Sequence, residues 1–158
     1  MTDYGTNANA ERVKLILTES KFNELFPNRD SLYTYDGFIK AVAKYPMFCG
    51  EYNDSSTDTN LGNLDNACKR ELSTLLAHFE INSEGLSLKQ DSSCADWQGS
   101  DCVHDSSDQR YDAVAGKFYH GRGPIGMSGS YNYGQFGDSF GPVIYQQTRF
   151  LDNPDLVI

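Results

Sequence analysis

The sequence predicts a mainly α-helical domain whose helices are joined by long polar loops. Apolar residues recur at helical spacing in three separate stretches between residues 13 and 79. No stretch of any length alternates apolar and polar residues as a half-buried strand does, and no internal repeat occurs. With 158 residues the chain has the length of one domain, so a single domain over residues 1–158 is expected.

The first two helices are expected before residue 46. The first has apolar residues at helix-like spacing and stops at Pro27; they are Val13, Leu15, Ile16, Leu17, Phe22, Leu25 and Phe26. The second can start at Thr34 or Asp36, since both residue types cap helices, and it ends at Pro46. Its apolar face consists of Phe38, Ile39, Val42 and Tyr45.

The third helix has the clearest pattern, because apolar residues follow one another at i, i+3, i+4 and i+7. They are Leu72, Leu75, Leu76 and Phe79. Residues 50–64 form a polar loop before this helix, and residues 83–117 form a longer one after it. The second loop contains Asp91, Asp96, Asp101, Asp105, Asp108 and Asp112. Calcium loops of the EF-hand type need a central Gly and a final Glu, which are absent here, so a solvated loop without metal is expected.

The charge and composition exclude several classes of partner. A net charge of −9 leaves no basic stripe for nucleic acid. No window approaches the ~20 apolar residues of a membrane span. Gly121, Gly123 and Gly126 match a dinucleotide-binding fingerprint, but no apolar strand precedes them and Pro124 lies among them. We therefore expect a protein that uses no cofactor. We also expect it to be a monomer.

The four cysteines indicate an oxidising compartment. Cys49 and Cys68 flank one polar loop, and Cys94 and Cys102 flank another, which favours two local disulfides, with two other pairings open. Residues 53–55 form a glycosylation sequon. The first residues lack a signal-peptide pattern, so the protein is either intracellular or its signal is absent from this chain. The cysteines favour the second option, and we therefore expect an extracellular protein.

Residues 119–134 carry the most specific motif. They read Tyr-His-Gly-Arg-Gly-Pro-Ile-Gly-Met-Ser-Gly-Ser-Tyr-Asn-Tyr-Gly. This segment resembles the Tyr-Gly-Arg-Gly-Pro-Ile-Gln-Leu-Ser-Trp-Asn-Tyr-Asn-Tyr-Gly segment of glycoside hydrolase family 19, chitinases that cleave β-1,4-linked N-acetylglucosamine polymers. Further blocks resemble the family in the same order, at residues 22–29, 33–38, 68–72 and 153–157.

The resemblance implies a lysozyme-like helical fold and points to departures from the family. Gly126, Gly129 and Ser130 stand where the family has Gln, Trp and Asn, so the cleft should be looser and bind sugar more weakly. Family members also continue well past the Asn-Pro-Asp-Leu-Val block, whereas this chain stops at Ile158. A C-terminally short domain is therefore expected.

The resemblance also assigns a general-acid position. The family's acid is the Glu of a His-Glu-Thr motif, and counting without gaps from Lys69 places it at Asn82. An Asn amide carries no acidic proton and cannot act as a general acid. Glu80 and Glu84 lie two residues to either side, and on a continuing helix they point about 160° away. Gly85 would permit a local bend, which could let Glu80 or Glu84 take the place of the missing acid.

The remaining site residues follow from the same resemblance. Asp91 is the candidate general base at the short spacing of compact members, and His104 falls there at the longer spacing. Ser128 matches the Ser that holds the attacking water, and Asn132 matches an Asn that hydrogen-bonds the sugar. Tyr131 is a further substrate-binding candidate, although packing is favoured for it.

Two hypotheses follow from these residues. The favoured one is a pseudoenzyme, a secreted chitinase-like domain that has lost most or all catalysis and binds chito-oligosaccharide or serves as a scaffold. The alternative is an active, inverting endochitinase in which Glu80 or Glu84, together with Asp91, replaces the missing acid.

Overall fold

A computed structural model of the chain describes residues 7–50, 64–94, 102, 110–139 and 150. Five α-helices lie in these ranges: α1 (Ala8–Ile16), α2 (Glu19–Leu25), α3 (Tyr35–Lys44), α4 (Leu64–Asn82) and α5 (Ser130–Ser139). A short 3₁₀ helix covers Ser92–Cys94. The described residues form only two isolated β-bridges, Gln90 with Arg122 and Arg122 with Met127, so the predicted mainly α-helical class is confirmed.

The chain divides into two compact units, Met1–Glu80 and Ile81–Ile158. The expectation of one domain over residues 1–158 stays a prediction. Within the described ranges, no helix combines the length and the apolar character that crossing a membrane requires.

The first unit corrects one predicted element. The stretch before Pro27 is not one helix but two, because the chain leaves the helical conformation at Leu17. The hydroxyl of Thr18 then accepts a hydrogen bond from the backbone N–H of Lys21 and caps α2. Apolar periodicity continues through this break, which is why spacing alone did not reveal it.

An aromatic cluster centred on Phe22 fills the core of the first unit. The Phe22 ring centroid lies 5.2 Å from that of Phe26 and 5.8 Å from that of Phe38. Phe79 of α4 contacts both Phe26 and Phe38. The buried amide of Asn9 donates to the carbonyl of Val42 and thereby ties α1 to α3.

Local signals placed α3 and α4 correctly. Thr34 caps α3 by accepting a hydrogen bond from the N–H of Gly37, and α3 ends before Pro46 as predicted. In α4 the predicted apolar face is turned away from solvent, with Leu72 and Phe79 buried.

A disulfide joins Cys49 to Cys68 in the first unit, and another joins Cys94 to Cys102 in the second. The two predicted local pairings are therefore confirmed. The Cys49–Cys68 bond closes the polar loop predicted before α4, of which residues 51–63 lie outside the described residues, as does the predicted sequon at residues 53–55.

The second unit contains a helix that the sequence did not predict. The core cluster of the second unit consists of Tyr111, Tyr119, Tyr133 and Phe150. Helix α5 supplies Tyr133, which is fully buried, and Gly134, against which the Tyr111 ring packs so closely that a Cβ there would lie 2.1 Å from Tyr111 Cδ1. Glycines weaken helices, so tertiary packing rather than propensity stabilises α5.

Candidate functional site

A cavity of about 350 Å³ lies within the second unit. It is lined by Ile81, Asn82, Glu84, Leu88, Gln90, Asp91, Ser92, Gly121, Gly123, Gly126 and Ser128. These residues come from the end of α4, from the segment after it, and from the glycine-rich segment at residues 119–134.

Asn82 is the last residue of α4 and its side chain is exposed at the cavity. Gly126 lies beside it, since a Cβ built on Gly126 would be 3.6 Å from Asn82 Cβ. Gly126 has a φ of 64°, a left-handed conformation that side chains other than glycine adopt at a cost. The backbone itself therefore forms the wall of the cavity next to Asn82.

The chain bends sharply directly after Asn82. Glu84, Gly85 and Leu86 all have positive φ values of 49°, 66° and 64°. Ser83 holds this turn, because its hydroxyl accepts from the N–H of Leu86 at 3.2 Å and its carbonyl accepts from the N–H of Leu88 at 3.0 Å. Helical geometry thus stops at Asn82.

This bend changes the position expected for Glu84. The premise of a continuing helix is wrong beyond Asn82, and Glu84 lines the same cavity as Asn82. Gly85, the residue expected to permit a bend, lies within the turn. Glu80 remains on α4, is exposed, and is not among the residues that line the cavity.

Asp91 lies at the cavity just before the 3₁₀ helix. Its Oδ1 accepts from the N–H of Ser93 at 2.9 Å and from the Ser93 hydroxyl at 2.6 Å. Its own N–H donates to the carbonyl of Gly121 at 2.8 Å. The next turn contains Cys94, which the disulfide to Cys102 holds. Asp91 is therefore fixed by both its side chain and its backbone.

The glycine-rich segment forms a tight turn at the cavity. Arg122 and Met127 exchange two backbone hydrogen bonds of 3.0 and 2.9 Å, and Gly126 N–H donates to the carbonyl of Gly123 at 3.1 Å. Gly123 N–H also donates to the carbonyl of Lys89 at 2.9 Å. The turn is thereby joined to the segment that carries Asp91.

A buried polar cluster supports this turn from the protein interior. The guanidinium of Arg122 is 1% exposed and donates to the Phe118 carbonyl and to the Tyr133 hydroxyl, each at 2.9 Å. The Tyr133 hydroxyl in turn donates to the His120 carbonyl at 2.7 Å. The multidentate geometry of Arg suits such a set of oxygen acceptors, so this side chain stabilises the turn.

The predicted site residues do not all meet at the cavity. Asn82, Asp91, Glu84 and Ser128 line it, whereas Asn132 and Tyr131 do not. Asn132 is exposed on α5 and donates to the Ser128 carbonyl at 2.8 Å. Tyr131 packs edge-on against Tyr111 with ring centroids 5.4 Å apart, and His104 lies outside the described residues.

Four further residues line the cavity without having been identified from the sequence: Ile81, Leu88, Gln90 and Ser92. Gln90 lies 3.2 Å from Nε2 of the fully buried His120. Only proximity to Asp91 along the chain would have pointed to Gln90 and Ser92. Ile81 is 78% exposed.

The cavity combines acidic, amide, hydroxyl and backbone groups. Glu84 and Asp91 each contribute a carboxylate, and among the described lining residues no Lys, Arg or His is present. The part of the chain that the structure describes contains no group of three His, Cys, Asp or Glu side chains able to hold a metal ion. The arrangement suits a polar ligand that hydrogen-bonds and carries little or no negative charge.

Comparisons with known proteins point to one family. The profile of glycoside hydrolase family 19, described as Chitinase class I, matches residues 15–158. A basic endochitinase of Vitis vinifera is 31% identical over 156 residues, which cover 90% of this chain and 44% of that protein. An acidic 27 kDa endochitinase of Solanum lycopersicum is 31% identical over 159 residues, covering 96% and 54%.

Solved structures give the same result for the fold. Chitinase C from Streptomyces griseus is 30% identical with a TM-score of 0.63, covering 89% of this chain and 48% of that one. A bacterial family 19 chitinase is 29% identical with a TM-score of 0.64, covering 89% and 59%. These similarities confirm the predicted lysozyme-like helical fold. The chain spans about half the length of the curated relatives it matches.

Proposed function

The chain belongs to glycoside hydrolase family 19, and on this basis we propose that the cavity of its second unit binds chito-oligosaccharide while hydrolysis is lost or strongly reduced. The observation that carries this proposal is Asn82. It lines the cavity at the position where the family resemblance places the general acid.

Loss of the acid removes one half of the inverting mechanism. Inverting glycosidases need a protonated carboxyl group to assist the leaving oxygen and an ionised one to activate water. Asn82 has an amide, which donates hydrogen bonds but does not transfer a proton. Asp91, held by Ser93, is the residue we assign to the base. Because the cavity then has a general base but no general acid at residue 82, cleavage of an ordinary glycosidic bond should be slow.

Sugar binding does not depend on the acid. Asn82, Gln90, Ser92 and Ser128 offer amide and hydroxyl groups at the cavity, and the glycines expose backbone donors and acceptors. Such groups match the many hydroxyls of an oligosaccharide. Gly126 and Gly129, where the family has larger side chains, leave fewer contacts, so we expect weak affinity.

The alternative function, an active endochitinase, has one observation in its favour. The bend at residues 84–86 places Glu84 at the cavity with Asn82, so a carboxyl group two residues from the lost acid is available. Glu80 offers no such support, because it is exposed on α4 and does not line the cavity. The displaced acid of this alternative is therefore Glu84.

One pair of measurements tests both functions. The purified chain is incubated with chitohexaose, cleavage is followed by mass spectrometry, and binding is followed by NMR titration. Binding without cleavage supports the proposal. Cleavage that disappears in Glu84→Gln but persists in the matched control Glu80→Gln establishes the alternative instead. Absence of both binding and cleavage contradicts the proposal and leaves only a scaffold role.

The two disulfides fit an extracellular protein, since such bonds persist in oxidising compartments. We propose a secreted protein on this ground, and separately we propose that it is a monomer. Size-exclusion chromatography with light scattering checks the oligomeric state.

A further inference from the structure

We infer that the cavity recognises a hydrogen-bond acceptor of its ligand through the side-chain amide nitrogen of Gln90, and that the buried His120 is the positioning residue that sets the direction of this amide. The inference rests on the proposed function, because it assumes that the cavity binds a sugar chain, and it specifies which kind of group on that chain is recognised. It is carried by the contact between Gln90 and His120, which joins the cavity lining to the protein interior.

The backbone of Gln90 is held against the glycine-rich segment. Gln90 forms an antiparallel bridge with Arg122, which is buried. Two backbone hydrogen bonds of 2.8 and 2.9 Å, donated by the N–H groups of Asp91 and Gly123, join the two segments at this bridge. The point from which the Gln90 side chain starts is therefore fixed.

The side-chain oxygen of Gln90 is bound by His120. Oε1 of Gln90 lies 3.2 Å from Nε2 of His120, a residue that is fully buried. An amide oxygen only accepts hydrogen bonds, so Nε2 carries the proton and donates it. The backbone carbonyl of His120 accepts from the Tyr133 hydroxyl at 2.7 Å, which holds the backbone of His120 in place. His120 therefore fixes the position of the Gln90 oxygen.

An amide whose oxygen is fixed has its nitrogen directed as well. The two atoms are attached to one planar carbon, and the nitrogen carries two N–H donors. Gln90 is half-buried and lines the cavity, so this NH₂ is the part of the amide that His120 leaves for a ligand. Reversal of the amide would require the His120 proton to move from Nε2 to Nδ1. The tautomer of His120 and the direction of the Gln90 donor are thus linked.

A directed donor requires an acceptor on the ligand. A chito-oligosaccharide offers oxygen acceptors of two kinds, the acetyl carbonyl and the hydroxyl and ring oxygens of the sugar. The carbonyl oxygen only accepts, whereas a hydroxyl both donates and accepts. A ligand or variant that removes one partner leaves the other without its hydrogen bond, and this loss lowers affinity.

The first measurement uses the wild-type chain. Long-range ¹H–¹⁵N correlation spectra of the histidine rings identify the nitrogen that carries the proton. We expect His120 to carry it on Nε2, and we expect the side-chain N–H signals of Gln90 to shift when chitohexaose is added. A proton on Nδ1 alone overturns the inference, because the Gln90 oxygen then lacks the donor that directs the amide. A purely structural histidine would be compatible with either tautomer.

The second measurement is isothermal titration calorimetry of Gln90→Glu with chitohexaose. Glu keeps an oxygen for His120 but replaces the NH₂ by a second oxygen acceptor, so we expect binding to weaken about tenfold. The matched control is Gln135→Glu, which makes the same change on the exposed face of α5, outside the cavity lining, and should not alter affinity.

Variants of His120 test the positioning role. His120→Phe keeps a ring but removes the donor, so we expect about fivefold weaker binding. His120→Gln can still donate an N–H to Gln90 and should restore part of the affinity. Circular dichroism shows whether each variant is folded. If a His120 variant does not fold, the wild-type spectra and Gln90→Glu still decide the inference.

Cellohexaose, which has a hydroxyl in place of each acetamide, distinguishes the two kinds of acceptor. Weakening by Gln90→Glu for chitohexaose alone assigns the acetyl carbonyl, and equal weakening for both oligomers assigns an oxygen that they share; both results support the inference. Unchanged chitohexaose affinity in Gln90→Glu, or an equal loss in Gln135→Glu, overturns it while the proposed sugar binding stands. Failure of the folded wild type to bind either oligomer contradicts the proposed function itself, and this inference with it.

Discussion

Restoring a carboxyl group at residue 82 should restore hydrolysis. In Asn82→Glu the amide becomes a carboxyl group one methylene longer. The structure has room for it, because Asn82 is exposed at the cavity and its neighbour Gly126 has no side chain. Even a Cβ on Gly126 would lie at 3.6 Å from Asn82 Cβ, an ordinary contact distance. The new side chain should enter the cavity without displacing another.

The size of the gain follows from the role of a general acid. Proton transfer by a positioned side chain contributes about 10²–10⁴-fold, which equals roughly 3–5 kcal/mol of the activation barrier. The cavity retains Ser128 and Asp91, the residue we propose as base, but with Gly126 and Gly129 we expect the substrate to be loosely held. Because loose positioning costs rate, we expect a gain near the lower end, about 10²-fold in kcat/KM.

The assay measures the initial rate of chitohexaose cleavage by mass spectrometry for wild type, Asn82→Glu and the control Asn82→Gln. Gln has the length and shape of Glu but no acidic proton, so it separates chemistry from packing. If Asn82→Glu folds and binds chitohexaose yet cleaves it no faster than Asn82→Gln, residue 82 does not occupy the acid position.

Two further predictions concern stability. Gly134→Ala should lower the free energy of unfolding by about 1–3 kcal/mol despite its gain in helix propensity, because the new Cβ would lie 2.1 Å from Tyr111 Cδ1. Urea unfolding checks it, with the exposed Gln135→Ala as control, and unchanged stability would show that Tyr111 does not pack there. Burial and then the charge of Asp30 raise the pKa of Tyr33 from 10.0 to about 12. Between pH 10 and about 12 the folded state keeps the Tyr33 proton that the unfolded state has lost, so the free energy of unfolding should fall as pH rises through this range. In Tyr33→Phe this fall should be smaller. An equal fall in the two proteins would refute the shift.

Helices α3 and α4 were predictable because their signals are local. Thr34 and Pro46 bracket α3, and a four-residue apolar pattern marks α4. The break at Leu17 was not predictable from spacing, since buried apolar residues occur on both sides of it, Val13 before and Phe22 after. At this break, the hydrogen bond by which Thr18 caps α2 favours the start of a new helix over continuation of α1.

Helix α5 illustrates where local signals fail. Its sequence contains Gly134 and Gly137, both poor helix formers. The helix is stabilised by Tyr133, whose ring is fully buried and whose hydroxyl bonds to Arg122 and to the His120 carbonyl. These contacts come from residues eleven and thirteen positions away, beyond any periodicity window.

The candidate site was predictable only in part. Motif matching brought Asn82, Asp91 and Ser128 together, and all three line the cavity. For the bend after Asn82, the sequence indicated only that Gly85 would allow one. Its actual course depends on Glu84 and Leu86, two residue types that avoid positive φ. Such conformations are imposed by surrounding contacts, here the hydrogen bonds that Ser83 accepts from Leu86 and Leu88.

The same bend also bears on which function is favoured. The bend places the Asn82 amide and the Glu84 carboxylate in the lining of the same cavity. A carboxyl group therefore still lies near the position of the family's acid. The two groups differ in their place along the chain. Asn82 lies at the position that the family resemblance assigns to the acid, and an amide there cannot protonate a leaving group. Displaced catalysis requires Glu84 to act from two residues further along the chain, which is why binding is favoured over it.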